Sequence, residues 1–190
     1  MREAERLLLK AGDESAVSIR AIASAVGVTP PSIYLHFRDK TELIFAVCGE
    51  HFRKLDERSE AAVASVTDPA ERIARRGRAY ITFGLDNPEH YRIMFMARPD
   101  ALAPRMSGDE LAQTAAFGHL LADVQAGLEG GQLVGDDAFT LACGLWAVVH
   151  GITSLLISKP EFPWPPLDDL MAAAMGTHRP PEAQRRPKRR

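Results

Sequence analysis

Apolar residues recur at helical spacing along almost the whole chain, and strict alternation of apolar and polar residues is nearly absent. This pattern predicts an all-α protein. Near the start, four apolar residues fall at i, i+3, i+4 and i+7 on one face of a short helix, namely Ile19, Ile22, Ala23 and Val26. Ser18 is a good N-cap for that helix, and Gly27 supplies the permissive backbone that a sharp exit requires.

A second short helix is predicted directly after the glycine turn. Thr29 is placed to cap it, and Pro30 occupies its first position, where a missing N–H costs nothing. Ile33 and Phe37, four residues apart, point to one side of this helix. The residues nearer the opposite side are Pro31, Ser32, Leu35 and His36, with the Tyr34 hydroxyl between the two sides.

A third helix begins at once, because Asp39 with Glu42 three residues later forms a capping box. A helix, a short turn with glycine and a second helix that presents small and polar groups together describe a helix-turn-helix. In such a unit the second helix lies in the major groove of DNA, while the first crosses the backbone. We therefore expect residues 1–48 to form a DNA-binding domain, with double-stranded DNA as the partner.

The string VTPPSIYLHF at residues 28–37, followed by Lys40 and Glu42, resembles the DNA-binding domain of TetR-family transcriptional regulators. A Tyr-x-His-Phe ending with a lysine three residues on is usual in that family. The resemblance implies that the phosphate backbone is held by Ser18, Thr29, Tyr34, His36 and Lys40, with Arg20 a weaker candidate. It also implies that the groove is faced by Pro30, Pro31, Ser32 and Leu35.

Few of these side chains can form a bidentate hydrogen bond with a base. Readout is therefore expected to depend on contacts with thymine methyl groups and on DNA shape. The alternative for Tyr34 and His36 is a packing role in a small helical domain. Phosphate contact is favoured, because both residues lie beside capped helix starts whose N–H groups attract phosphate.

A length of 190 residues with 46% hydrophobic content suits the DNA-binding domain plus one larger helical domain, which we expect at residues 49–176. Cys48 and Cys143 form no CxxC pair, and the sequence contains no HExxH, Walker A, GxGxxG or GxSxG motif. We expect no metal, no cofactor and no enzymatic activity. The alternative is a small helical enzyme or small-molecule-binding protein that keeps the helix-turn-helix only as scaffold.

The net charge is near balance at −2, so any attraction to DNA must be local. Residues 177–190 differ from the rest, since they contain six basic residues against Glu182 alone, interleaved with prolines. Such a segment cannot bury a core, and we predict a disordered basic tail. No signal peptide is visible, which favours a cytoplasmic protein. Little sequence precedes the first apolar stripe, which ends at Gly12. Either the natural start lies upstream of Met1 or the protein does without the basic arm that the family often carries, and the sequence alone does not decide between these alternatives.

Further helices are marked by their capping residues. The helix from Asp39 is expected to run to about Ser65, and Asp68 followed by Pro69 starts the next. Asn87 followed by Pro88 starts another helix, which carries Tyr91, Met94 and Phe95. Ser107 with Glu110 opens a longer one, which is expected to end at Gly127, Gly130 and Gly131.

The segment Ala138 to Ser158 contains no charged residue over 21 positions, which is long enough to span a bilayer. A membrane span is not expected, because Asp136 and Asp137 cap this helix and polar residues interrupt it. Two apolar faces are predicted. One consists of Leu141, Leu145, Val148, Ile152 and Leu155, and the other of Phe139, Ala142, Trp146, Val149 and Leu156. A helix apolar all round is buried on every side. We therefore expect one face to pack within the subunit and the other against a second subunit, helped by a closing helix near residues 167–175.

Trp146 to Gly151 also resembles the Trp-x-x-x-His-Gly motif in the C-terminal domain of one TetR subgroup. A homodimer follows from the DNA argument as well. One short recognition helix reads few base pairs, whereas a two-fold dimer that places two of them about 34–36 Å apart, or a multiple of this, reads a palindrome. The expected partners are thus a palindromic operator and a second copy of the chain.

In the TetR family the second domain usually encloses a small-molecule pocket, and a ligand bound there moves the two DNA-binding domains of the dimer apart. The resemblance therefore implies an unidentified small-molecule effector and, most often, a repressor. Aromatic and methionine side chains with a few polar tips suit a mostly apolar ligand. The candidate pocket residues are Tyr80, Phe83, Tyr91, Met94, Phe95, Phe117, Leu121, Trp146 and His150. Ordinary core packing is the alternative for each of them.

Overall fold

The computed structural model describes residues 2–11, 18–96 and 115–175, and within these ranges the chain is helical with no strand. The predicted all-α fold is confirmed. The nine α-helices in these ranges are α1 Arg2–Ala11, α2 Ile19–Val26, α3 Pro30–Tyr34, α4 Lys40–Val63, α5 Pro69–Asp86, α6 Pro88–Tyr91, α7 Ala115–Glu129, α8 Ala138–Ser158 and α9 Leu167–Ala174. A π-helical turn, Arg92–Met96, directly continues α6. The predicted start at Ser107 and the predicted tail at 177–190 lie outside the described residues.

The N-terminal helices and the first turns of α4 form a small unit that we call the head. Its core consists of apolar side chains, namely Ala4, Ile19, Ile22, Ala23, Ile33 and Leu43. Val26 was expected on the same face as Ile19 but is 44% exposed. Since α2 ends at this residue and the chain turns away at Gly27, no neighbouring helix covers the last turn.

The capping residues around the head agree with the sequence except in two details. Ser18 Oγ accepts a hydrogen bond from the Ala21 N–H, and Gly27 adopts φ +73°. Thr29 does not cap α3 with its side chain, because its Oγ1 lies 3.0 Å from Ser32 Oγ instead. Asp39 Oδ1 accepts from the Glu42 N–H at 2.8 Å, but the Glu42 carboxylate accepts from the N–H of Arg38, one residue before the predicted partner.

The helix α4 belongs to both parts of the molecule. Leu43 near its start is buried in the head, whereas Leu55 and Val63 are buried further along. There α4 packs against α5, which also contacts α7 and α8, and these helices with α6 and α9 form what we call the body. Because α4 passes without a break through residues 48 and 49, the predicted domain boundary there stays a prediction.

Two helix ends in the body differ from the predictions. Asn87 precedes α6, but its side-chain amide donates to the Phe83 carbonyl at 2.9 Å and so closes α5 rather than capping α6. Gly127 lies inside α7 and is buried, and a β-carbon there would come within 2.7 Å of Leu133. Its role is therefore close packing of the following loop, and the turn that ends the helix uses Gly131 at φ +73°.

The helix α8 has the predicted bounds, and Asp137 Oδ2 accepts a hydrogen bond from the Thr140 N–H at 2.7 Å. By length and composition it is the one helix among the described residues that could cross a membrane. One or two such helices are weak support for a membrane protein, because the core helix of a soluble protein has the same composition. The buried residues of α8 are Ala142, Val149, Ile152, Thr153 and Ile157, so the described part of the chain leaves much of this apolar helix uncovered.

The uncovered part of α8 is a third face that lies between the two predicted ones. We call it the small-residue stripe, and it consists of Thr140, Gly144, Ala147, Gly151 and Ser158, which follow each other at helical spacing. Its members are exposed except Gly151, which is half-buried, and Leu155 at the edge of the first predicted face is 49% exposed. Buried residues come from both predicted faces, as Ala142 and Val149 lie on one and Ile152 on the other. Neither predicted face is therefore the outermost one.

Candidate DNA-binding surface and ligand cavity

The helix α3 projects from the head with its apolar anchor turned inward. Ile33 is buried in the head core, which orients the other side of the helix toward solvent. Leu35 is 82% exposed and Tyr34 is 53% exposed. Two neighbouring large side chains are thus exposed to solvent on the outer side of the head, which makes this side a candidate binding surface.

The predicted DNA-contacting residues all reach the surface of the head. Seven are exposed, namely Ser18, Arg20, Thr29, Pro31, Tyr34, Leu35 and His36, and three are half-buried, namely Pro30, Ser32 and Lys40. Two of them already have local hydrogen-bond roles, since Ser18 caps α2 and Thr29 contacts the Ser32 hydroxyl. The nearby Glu42 is held by the N–H and guanidinium of Arg38, which lower the pKa of this carboxyl.

The body contains a partly open cavity of about 650 Å³ between α4, α5, α7 and α8, with the π-helical turn at one end. Its wall is predominantly apolar and rich in aromatic rings. The larger apolar wall residues are Phe52, Leu55, Ile73, Tyr80, Phe95, Phe117, Leu120, Leu145, Trp146, Val149 and Met175. The polar wall residues are Arg53, Asp56, Ser59 and Arg76. A volume of this size suits a small organic molecule.

Four of the nine predicted pocket residues lie on the cavity wall, namely Tyr80, Phe95, Phe117 and Trp146. Tyr91 and His150 lie behind Tyr80, where their rings stack with centroids 5.6 Å apart. Phe83, Met94 and Leu121 are not part of the wall. Phe83 is 4% exposed and lies nearly one turn beyond Tyr80 on α5, past the ring that closes this end of the cavity.

A hydrogen-bonded group of side chains closes the cavity at Tyr80. The Tyr80 hydroxyl lies 3.1 Å from the Tyr91 hydroxyl and 3.2 Å from His150 Nδ1, and the Trp146 indole N–H donates to it at 3.4 Å. The Tyr91 hydroxyl lies 2.7 Å from the same His150 nitrogen. Burial raises the pKa of both tyrosines and lowers the pKa of His150. All three side chains are thus neutral near pH 7. Tyr80, the member that lines the cavity, can exchange a hydrogen bond with a polar group of a ligand.

Arg76 was missed by sequence reasoning, although it lies on the cavity wall and is 5% exposed. Its guanidinium donates to Asp123 at 2.5 Å, to Ser59 at 3.1 Å and to Glu60 at 2.6 Å. Arg72, one turn earlier on α5, donates to the other oxygen of Asp123. The only signal in the sequence was a pair of arginines four residues apart on an otherwise apolar face. Because Arg76 is already neutralised by two carboxylates, it does not make the cavity selective for anions.

Comparison with known proteins agrees with both parts of the chain. Residues 2–47 match the family described as bacterial regulatory proteins, tetR family, and residues 73–178 match the tetracyclin repressor-like, C-terminal domain. The second match covers more than half of the chain. The protein therefore belongs to the TetR family.

Among its relatives is the HTH-type transcriptional activator FasR of Mycolicibacterium smegmatis, which is 28% identical over 137 residues. The aligned region covers 70% of this chain but 59% of that relative, so the chain spans less than two thirds of its length. The TetR family regulator PfmR of Thermus thermophilus has a similar structure, with 23% identity, a TM-score of 0.59 and coverage of 91% and 93% of the two chains. A TetR family regulator of Marinobacter aquaeolei has 18% identity, a TM-score of 0.65 and coverage of 93% and 96%. The subgroup suggested by Trp146 and His150 stays a prediction.

Proposed function

We propose that this protein is a cytoplasmic, ligand-responsive DNA-binding repressor of transcription. Two copies bind a palindromic operator, and a small, mostly apolar ligand releases them. The path of α4 is the observation that carries the proposal. Its residue Leu43 is buried in the head core, while Phe52 and Leu55 of the same helix form part of the cavity wall. A ligand that displaces this wall therefore also displaces the head.

The head would bind DNA with α3 in the major groove. Tyr34, His36 and Lys40, with Ser18, Thr29 and Arg20, contact phosphates, and Pro30, Pro31, Ser32 and Leu35 face the bases. The exposure of Leu35 supports this assignment, because an exposed leucine at the tip of a helix can contact thymine methyl groups. Since the groove-facing side chains offer few hydrogen bonds to bases, DNA shape contributes to specificity.

The second copy of the chain would pack on the small-residue stripe of α8. This assignment is supported by Gly144 and Gly151, where a β-carbon would meet no atom within 4 Å inside the subunit. Small side chains let two helices approach closely, and the flanking Leu141, Leu145 and Val148 are only half-buried. Ala174 of α9 is exposed and lines one groove together with Thr140 and Gly144 of the stripe.

The ligand would be an apolar molecule with one polar group that reaches the Tyr80 hydroxyl. The apolar wall supplies the affinity, and the neutral group of Tyr80, Tyr91 and His150 supplies a hydrogen-bond partner without selecting a charge. The ligand can lower operator affinity only by the difference between its affinities for the free and the DNA-bound conformations.

A salt titration with the full chain tests the proposal. Duplexes that carry the upstream region of its own gene should bind far more tightly than scrambled duplexes, with affinity falling steeply as salt rises. Lys40→Ala should reduce the salt dependence and weaken binding to both duplexes alike. Equal affinity for the two duplexes, or no binding, would reject the proposal in favour of a protein that keeps the helix-turn-helix only as scaffold.

Activation of transcription is the second candidate function. It is favoured because the relative FasR is a transcriptional activator. Both candidates predict the same operator binding, so binding assays do not separate them. They are separated by the output of a reporter gene placed under the upstream region, measured before and after the gene of this protein is deleted and again after it is restored. Reporter output should rise on deletion if the protein is a repressor, whereas a fall would identify an activator.

A further inference from the structure

Where the head meets the body, three side chains from three helices converge. They are Glu5 of α1, His51 of α4 and His90 of α6. The Nε2 atoms of His51 and His90 lie 3.1 Å and 3.0 Å from the same carboxylate oxygen, Oε1 of Glu5. The two imidazole rings lie side by side with centroids 4.1 Å apart. Two nitrogen ligands and one carboxylate therefore surround a single point.

His51 is the buried member of this group and lacks a hydrogen-bond partner. Its side chain is 8% exposed, and Nε2 forms no hydrogen bond with any described residue. A buried imidazole nitrogen without a hydrogen bond is available to bind a metal ion.

We propose that Glu5, His51 and His90 bind a divalent transition-metal ion, with zinc the preferred one. Two histidines and one carboxylate, with a fourth position for water, form a usual tetrahedral zinc ligand set. At the usual zinc–ligand bond lengths, ligand atoms at the corners of a tetrahedron are about 3.3 Å apart. The observed separations of 3.0 Å and 3.1 Å need only a small outward movement to reach that value.

The ion would join the head to the body. Glu5 belongs to the head, whereas His51 and His90 belong to the parts of α4 and α6 that lie in the body. His90 is followed by the π-helical turn whose Phe95 lines the cavity. Metal binding would thus hold the head in the orientation described here and link it to the cavity. This regulatory consequence rests on the proposed function, but the metal site itself does not.

Sequence spacing could not reveal this site, since its ligands lie far apart in the chain and match no short motif. A second group of similar composition, Asp56, Glu60 and His119, provides a matched control. His119 Nδ1 lies 3.0 Å from both carboxylates, but its side chain is 41% exposed. Glu60 already accepts a hydrogen bond from Arg76, so this group is explained by ion pairing.

The test is a titration of the full chain, expressed without a polyhistidine tag and dialysed against chelator, with Co²⁺ and then Zn²⁺. We expect visible absorption bands of four- or five-coordinate Co²⁺ that saturate at one ion per chain and disappear when Zn²⁺ displaces it. His90→Ala and Glu5→Gln should each weaken binding by more than the roughly 10–100-fold that loss of an outer-shell partner causes. His119→Ala should bind like the wild type.

Thermal unfolding provides a second readout that does not depend on DNA. One equivalent of Zn²⁺ should raise the Tm of the wild type and of His119→Ala, but not that of His90→Ala. Because His51→Ala removes a buried side chain, the two more exposed ligands carry the test, and circular dichroism verifies that these variants are folded. Binding that does not saturate at one ion, or that is lost in His119→Ala and kept in His90→Ala, would overturn the proposal. Failure of operator binding would leave this result unaffected.

Discussion

The head and the body place their functional surfaces in opposite ways. In the head the described core is apolar throughout, and the candidate contacts with DNA lie on its outside. In the body the candidate ligand site is a partly open cavity between helices, and the body core contains the buried polar residues Ser59, Arg76, Asp123 and Thr153. The head therefore depends on a small apolar core that holds the DNA-contacting residues in place. The body depends on buried polar interactions that stabilise the helices around the cavity.

The largest effect is expected from Asp123→Ala in the body. This change leaves Arg76 buried with one of its two carboxylate partners missing and also removes the carboxylate to which Arg72 donates. Breaking a buried ion pair on one side costs about 3–5 kcal/mol in the free energy of unfolding. Urea denaturation measures this loss.

The matched control for Asp123→Ala is Arg75→Ala, which breaks an exposed ion pair with Glu71 on the same helix. The expected loss is below about 1 kcal/mol. Equal losses in the two variants would show that the buried polar group does not support the cavity and would remove the contrast between head and body.

The next effect concerns the outer surface of the body. Ala147→Arg places a charge on the small-residue stripe, and in a symmetric dimer two such charges face each other. Like charges in an interface cost several kcal/mol, so this variant should sediment as a folded monomer at concentrations where we expect the wild type to form the proposed dimer. Ser65→Arg adds the same charge at an exposed position beyond α4 and should leave the dimer intact. If the Ala147→Arg variant is still a dimer, the second copy packs on a surface other than the small-residue stripe.

A smaller loss is expected where α5 and α8 pack most closely. In Gly84→Ala the new β-carbon would overlap Thr153 Cγ2 and come within 2.9 Å of a Tyr91 ring carbon. Overpacking of this kind costs about 1–3 kcal/mol. Gly49→Ala on α4, where a β-carbon meets nothing within 4 Å, should instead gain about 0.5–1 kcal/mol from helix propensity. Thermal unfolding compares the stabilities of the two variants. A Gly84→Ala variant as stable as the wild type would show that Thr153 and Tyr91 move aside at little cost.

The smallest effect is expected on the surface of the head. Tyr34→Phe removes one hydroxyl that we assign to phosphate, at a cost of roughly 0.5–1.5 kcal/mol per bound copy. Affinity should fall equally for the operator and for a scrambled duplex, with no change in Tm. Leu35→Ala should instead change the ratio between the two duplexes. Fluorescence anisotropy measures the affinities for both duplexes. A changed ratio of these affinities in Tyr34→Phe would indicate that Tyr34 contacts the bases and not a phosphate.

The head was largely predictable from the sequence, because its structure depends on local signals. Ser18, Gly27 and Asp39 act within three or four residues of their own positions, and each marks a helix end as expected. Val26 was predicted to be buried but is exposed, because the burial of a residue in the last turn depends on where the neighbouring helices end. In the body, helix starts at Asp68 and Asp137 were equally readable, and both cap as expected.

The arrangement of the body was not readable in the same way. The sequence identified aromatic residues suited to a pocket, but whether Phe83 or Phe95 faces the cavity depends on how α5 and the π-helical turn rotate against α8. The partners of Arg76 lie on two other helices, α4 and α7, and the three ligands of the proposed metal site likewise come from distant segments. Such groups exist only after the chain has folded.

Hydroxyl-radical footprinting of the full chain on the upstream region of its own gene tests the central claim that two heads read one operator. We predict two protected patches related by a palindrome, about 34–36 Å or a multiple of this apart along the duplex. Saturating ligand should remove both patches together, and Ala147→Arg should abolish the pair. A single protected patch, or uniform protection along the duplex, would contradict the claim.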